Sequence, residues 1–424
     1  MPGKKTILLL LAGVLALPAL AAARTAPSAA ASPVSAIQRR ALTANVAEYF
    51  FTVRVGSGPY DQIGVHRVVK ETAPNVPVHA SRAVFLAAGD IWNFRAAFLT
   101  GAKPIPVFLA ENGIDVWGVD YRWTFVPASV TDLSFMRDWG IERDAHDLGA
   151  AIGIARVTRA LTGSGFGKLF LLGWSRGGQI GYAYLNDETR LPPPLRQVRG
   201  FIPVDIYLKT DVPQLQALAC QREQATEAAI AQGNYAATSG ALVNAIGTAA
   251  IADPNGASAV VPGFTNRQAG LFVGEETFAL LGGLEPAPFY HFTGGTFDAQ
   301  GTPTGLLYSN EQDLFHFEAG AAPYQPNREL ADADKATCGQ HDVPFDDYLA
   351  QIKVPVLYMG AGGGFGELGI YTTTLLGSTD VTTHIIHKTP ADQRLFDFGH
   401  ADLFLANDAR TLVWQPILDW VQAH

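Results

Sequence analysis

The apolar residues of this chain gather into short unbroken runs, and the stretches between them carry helical spacing. Glu48 to Val55 and Ile63 to Val69 read as an opening pair of strands, joined by the turn residues Gly56-Ser57-Gly58-Pro59. Further runs cover Ala83 to Ala88, Ile114 to Val119, Phe170 to Leu172, Phe201 to Val204, Val354 to Met359 and Val381 to Ile386. Runs of this length without alternation predict strands buried on both faces, as in a parallel sheet. Several stop at a small or acidic residue: Gly89, Asp120, Gly173, Asp205 and Gly360.

Asp144 to Leu161 carries two apolar stripes at helical spacing. One passes through Ala150, Ile154, Val157 and Leu161, the other through Leu148, Ile152 and Ala155. Asp408 to Val421 reads as a last covering helix that Pro416 must bend or break. Strand and helix alternate, which predicts an α/β fold with a doubly wound, mostly parallel sheet. Pro203, inside an apparently interior strand, is unexplained by this pattern.

One connection breaks the alternation. Residues 206–351 are too many for a structureless loop. Val212 to Ala252 has helical character, and Pro286 to Pro326 is rich in Gly, Pro and aromatic residues. The segment is therefore expected to be a large inserted cap between the sixth and seventh core strands, with the core formed by residues 47–205 and 352–424.

The start of the chain has a different character. Lys4 and Lys5, the apolar run Ile7 to Leu17, and Ala21, Ala22 and Ala23 follow one another as in a secretory signal peptide. Residues 1–23 are assigned to it, and residues 24–46 to a flexible leader. The run is shorter than the roughly 20 apolar residues that cross a bilayer. An exported protein, periplasmic or secreted, is expected, with no stable membrane span. The formal net charge is −9, and no basic patch is evident, which argues against nucleic acid as a partner. Cys220 and Cys338 are the only cysteines. An oxidising compartment permits a bridge between them, and two free buried thiols are the alternative.

The sharpest chemical signal is Gly173-Trp174-Ser175-Arg176-Gly177-Gly178, directly after one strand run and before a plausible helix. This is G-x-S-x-G in a strand–turn–helix context. A serine on so sharp a turn needs glycines where the strand and helix backbones approach. The following helix N-terminus favours negative charge on a substrate. Far downstream, Phe398-Gly399-His400-Ala401-Asp402 follows the last strand and supplies a candidate general base.

With these motifs the chain resembles the α/β-hydrolase superfamily, over about Glu48 to Asp205 and from Ile352 to the end. The resemblance implies a nucleophile, an acid and a histidine in that chain order. It implies Ser175 as nucleophile and His400 as base. It implies an oxyanion hole made by the backbone N–H of Arg176 and a second N–H after the third strand. Asp90 is the first choice for that donor, and Ile91 the other. Most members place the acid just past the seventh strand. Here that loop reads Gly360-Ala361-Gly362-Gly363-Gly364-Phe365-Gly366-Glu367, with no Asp and one late Glu. A minority place it at the end of the sixth strand, where Asp205 stands. Asp205 is taken as the acid, with Glu367 as the alternative. The glycine loop lacks the Lys-Ser/Thr ending of a phosphate-binding loop, and a backbone passing close to the site is the better reading.

The function expected is hydrolysis of a carboxylic ester through an acyl-enzyme, on a small-molecule or oligomeric, partly apolar substrate, with no metal or organic cofactor. An amidase, peptidase or lactonase would use the same residues, and a non-catalytic binding protein on this fold is the alternative of a different class. In the cap, Phe289, Tyr290, Phe292, Phe297, Phe315, Phe317 and Tyr324 either line an apolar substrate pocket or form the cap's own core. Phe315 and Phe317 are the residues chosen to test the pocket.

Overall fold

The computed structural model describes residues 33–102, 104–277 and 289–424. The expected signal peptide, the first part of the leader and a short part of the cap lie outside the described residues. Eight strands form the body of a ten-stranded central sheet among the described residues: β1 (Val46–Arg54), β2 (Gln62–Ala73), β3 (Arg82–Ala87), β4 (Ile114–Asp120), β5 (Leu169–Trp174), β6 (Val198–Val204), β7 (Val356–Ala361) and β8 (Val381–Ile386). Their order across the sheet is β1-β2-β4-β3-β5-β6-β7-β8. Among these eight, β2 runs antiparallel to its neighbours β1 and β4, and every later pair is parallel.

The unbroken apolar runs are explained by burial on both faces. Val84 and Leu86 of β3 point into one core, Phe85 and Ala87 into the other. On one side these residues meet α1 (Ile105–Glu111) and, near the chain's end, Ile417 and Val421. On the other they meet α2 (Ile141–Leu161) and α3 (Arg176–Glu188). Of the two stripes on α2, the one through Leu148, Ile152 and Ala155 is buried, whereas Ala150 and Leu161 face outward. β8 departs from the expectation. As the edge strand it is exposed over Val381 to His384, and its threonines and histidine are tolerated there for that reason.

A strand also forms where a flexible leader was expected. Gln38–Ala41 pairs antiparallel with β1 although all four residues are exposed. Backbone pairing and charge hold it instead of apolar burial: Arg39 reaches Glu71, and Arg40 Nε lies 2.9 Å from the buried Glu48. The leader assignment therefore does not extend to residue 46.

Pro203 costs one ladder bond. Phe201 N donates to Pro355 O at 2.9 Å and Asp205 N to Met359 O at 2.6 Å, so the amide missing at 203 is the one between them on the same side. Pro416 stands in the first turn of α9 (Gln415–Ala423), where a missing amide is tolerated, and a π-turn over Arg410–Trp414 precedes it.

Between β6 and β7 the described residues form α4 (Pro213–Ala231), α5 (Ser239–Ala252), α6 (Asn266–Glu275), α7 (Glu311–Ala319) and α8 (Asn327–Cys338), with a short ribbon Gly295–Phe297/Pro303–Leu306. Cys220 of α4 and Cys338 of α8 are joined by a disulfide, with Cα atoms 4.9 Å apart across 118 residues. In the chain-entropy view, closing a loop of that size removes on the order of 4–5 kcal/mol of unfolded-state freedom. No helix of the described residues is long and apolar enough to cross a membrane.

Candidate active site

Ser175 stands at the bend between β5 and α3 with φ 55° and ψ −130°, in the positive-φ region that few non-glycine residues occupy. Such a backbone typically stores about 1–3 kcal/mol. The glycines around it are required by close approach. A Cβ at Gly173 would overlap Gly177 O, one at Gly177 would overlap Ala87 O, and one at Gly89 would lie 2.6 Å from Ser175 Cβ. The β3 loop, the serine bend and the helix start are thus packed backbone to backbone. The bend keeps Ser175 at the wall of a cavity of about 370 Å³.

The His400 ring lines the same cavity. Its Nδ1 lies 2.6 Å from Asp205 Oδ2, and both side chains are buried. Among the described residues no hydrogen bond joins Ser175 Oγ to the ring. Trp174 stacks on the imidazole at 4.8 Å, and Tyr290 and Phe365 approach at 5.2 and 5.6 Å, so the ring is walled by aromatic surface. The loop carrying it is pinned by buried Asp402, which accepts from Gly399 N and Gly294 N at 2.8 and 2.9 Å and from Ser309 Oγ. Burial raises the Asp402 carboxyl to about 7, against the pull of those donors.

Asp205 follows β6 directly, with φ 48°. Its Oδ1 accepts from Ala361 N at 2.9 Å and Gly366 N at 2.8 Å, and its Oδ2 from Phe365 N at 3.1 Å as well as from the histidine. The glycine loop after β7 is thereby accounted for: its amides wrap this carboxylate. A Cβ at Gly364 would overlap Asp205 Oδ2. Glu367, the alternative acid, is elsewhere. It is half-exposed, with His387 Nε2 at 2.9 Å and Arg394 as its partners, and it makes no contact with His400. The loop that turns inward to enclose Asp205 turns Glu367 outward.

The amides of Arg176, Asp90 and Ile91 have no protein acceptor among the described residues, and all three residues line the cavity beside Ser175. Ile91, the other choice of donor, has φ 51° and also lines the cavity. The Arg176 and Asp90 side chains pair with each other, Nε to Oδ1 at 2.8 Å. Sequence reasoning did not anticipate this pair, nor Gln325 and Glu329 behind it; their signal is only a polar pair at the start of a cap helix.

Of the cap aromatics, Tyr290 and Phe292 line the cavity. Phe315 and Phe317 do not. They are buried in packing, Phe317 stacked on Trp92 at 4.2 Å, and Tyr324 donates to Ala128 O and Val130 O. The apolar wall is completed by Ile91, Trp92, Ile206 and Val243, while Arg222, Asp334 and Gln179 add polar lining. No group of acidic, histidine or cysteine side chains suited to a metal ion is found among the described residues.

No family model and no curated protein matches the sequence. Solved structures do. The chain is similar to a candidate lipase from Sulfolobus solfataricus at 20% identity, over 89% of this chain and 95% of that one, with a TM-score of 0.60. A soluble variant of monoglyceride lipase from Saccharomyces cerevisiae matches at 13% identity over 95% and 99% of the two chains, with a TM-score of 0.48. A thermophilic esterase from Thermogutta terrifontis matches at 13% over 91% and 98%, with a TM-score of 0.45. At such identities the likeness speaks for architecture, and with the strand order above it is decisive on that point: the chain has the α/β-hydrolase fold.

Proposed function

We propose that the protein is a serine hydrolase that cleaves a small carboxylic ester through an acyl-enzyme. The observation that carries this reading is the buried Asp205–His400 pair at 2.6 Å, on the same cavity as a serine held on a strained bend. Asp205 accepts a hydrogen bond from Nδ1–H, which keeps the proton on that nitrogen and leaves the Nε2 lone pair free. His400 takes the Ser175 proton as Oγ attacks the ester carbonyl. The oxyanion forms against the amides of Arg176 and Asp90, each such donor being worth about 3 kcal/mol in the transition state. His400 then returns the proton to the departing alcohol. Water, deprotonated by the same ring, attacks the acyl-serine and releases the acid. The α3 N-terminus supports the developing negative charge.

The aromatic and aliphatic wall beside His400 suits an apolar acyl or aryl group. The cavity volume lies near the lower end for small-molecule sites, which favours one compact ester over a bulky lipid. We read residues 1–23 as a signal peptide that sends the chain to the periplasm or the medium. Mass spectrometry of the secreted or periplasmic form should find its N-terminus near residue 24.

A fluorophosphonate probe tests the chemistry. Wild type should label, and Ser175→Ala should not. A folded wild type that stays unlabelled would refute the reading. p-Nitrophenyl butyrate, a matched anilide and a lactone then separate esterase from amidase and lactonase, with the ester expected to turn over fastest.

A further inference from the structure

The cap does more than roof the cavity. Its segment from Phe317 to Glu329 grips the loop after β3 at every level. Ala322 N donates to Ile91 O at 2.6 Å, and Trp92 forms a bridge with Ala321. Trp92 Nε1 donates to Phe317 O at 3.0 Å. Gln325 Nε2 donates to Asp90 Oδ1, the same oxygen that takes Arg176 Nε. Glu329 Oε1 lies 3.4 Å from Arg176 Nε and 3.5 Å from Gln325 Nε2. Arg176 is steadied from the core by Gln179, whose own amide donates to Tyr207 O at 2.8 Å.

The arrangement is specific in one respect. Asp90 and Arg176 are the two residues whose backbone amides face the reacting carbonyl in the function proposed above. Their side chains join them to each other, and two buried cap residues hold that joint. We propose that Gln325 and Glu329 are positioning residues for the oxyanion hole, acting through the Asp90–Arg176 ion pair, so that the hole is completed only when the cap is seated. The inference rests on the serine-hydrolase reading.

Burial raises the Glu329 carboxyl to about 8, although Arg176 pulls it down, which makes Glu329→Gln a conservative replacement.

The experiment compares wild type with Gln325→Leu, Glu329→Leu, Glu329→Gln and Asp90→Asn on p-nitrophenyl butyrate, alongside inhibition by an aryl trifluoromethyl ketone, which forms a tetrahedral oxyanion on the serine. Gln325→Leu and Asp90→Asn should lower kcat by ~10–100-fold with KM within about threefold, and weaken the ketone by the same factor. Glu329→Leu should do likewise, whereas Glu329→Gln, which keeps an acceptor for Arg176, should stay within about threefold of wild type. Asp90 is partly exposed, so its isosteric variant retains the fold even if a leucine at a buried cap position does not. Unchanged kcat and ketone affinity in folded Asp90→Asn and Gln325→Leu would overturn the proposal, as would a loss confined to KM. Failure of wild type to label with fluorophosphonate or to turn over the ester would instead sink the functional reading beneath it.

Discussion

Two neighbouring loops at the C-terminal edge of the sheet each end in a carboxylate, and the structure treats them in opposite ways. Asp205, one residue past β6, is fully buried and meets three backbone N–H groups and an imidazole. Glu367, six residues past β7, is half-exposed and meets His387 and Arg394 at the surface. Both have partners, so pairing alone does not distinguish them. The difference is in what surrounds the pair. Around Asp205 the main-chain donors are the last amide of β7 and two amides of the loop that follows it, and they cost no side-chain entropy to organise. Around Glu367 they are partly exposed side chains, and an ion pair that solvent reaches contributes little. An orienting acid for a catalytic imidazole needs the first environment, because a histidine is held only as firmly as the carboxylate that holds it.

The largest test of that contrast is Asp205→Asn. It should lower kcat for ester hydrolysis by roughly 10⁴ while the protein remains folded by circular dichroism. Next comes Gly364→Ala. The added Cβ would overlap Asp205 Oδ2, so the loop must shift and the carboxylate with it. Overpacking of this kind typically costs about 1–3 kcal/mol, read as a lower Tm, and kcat should fall with it. Ser309→Ala loosens the other anchor of the histidine loop, Asp402, and a hydrogen bond to a buried carboxyl is worth about 1.5–3 kcal/mol. Turnover should fall less than in Gly364→Ala. Glu367→Gln is the smallest: kcat within about threefold and stability within about 1 kcal/mol of wild type at neutral pH. Were it to match Asp205→Asn in kcat, the contrast would be broken.

Glu367 also has a pH signature. Its carboxyl is held below the usual value: burial pushes it up, but hydrogen bonds and the charge of Arg394 outweigh that. A depressed folded value contributes stability above the ordinary carboxylate range, and that stability is lost as pH falls through the folded value. Thermal melts from neutral pH into the acid range should therefore show Glu367→Gln losing slightly less stability than wild type on acidification. The opposite slope would show that the surface pair is unfavourable.

Much of this was legible in the chain. A strand buried on both faces leaves an unbroken apolar run, so β3 to β7 could be read directly. The serine bend announces itself because only glycine fits at 173 and 177. His400 is legible from its place after the last strand. The acid was left between two residues, because nothing local tells a carboxylate enclosed by amides from one in water; the enclosing amides belong to a loop more than 150 residues away in sequence. For the same reason the glycine loop could be described as passing close to the site but not assigned its contact with Asp205. Gln38–Ala41 was missed because charge and backbone pairing hold it, which no apolar pattern records. Of the two readings open for the cap aromatics, packing holds for Phe315 and Phe317, and the sequence does not separate them because a buried aromatic has the same spelling whether it faces ligand or protein.

The bond between Cys220 and Cys338 ties α4 to α8, and both helices contribute polar residues to the cavity lining, Arg222 and Thr226 from one, Asp334 and Thr337 from the other. The two helices pack directly on each other, with Arg222 and Asp334 paired at 2.6 Å, so the covalent clasp keeps one wall of the cavity in register. A thiol reductant would then loosen that wall and lower the Tm, while leaving every group that handles the proton untouched.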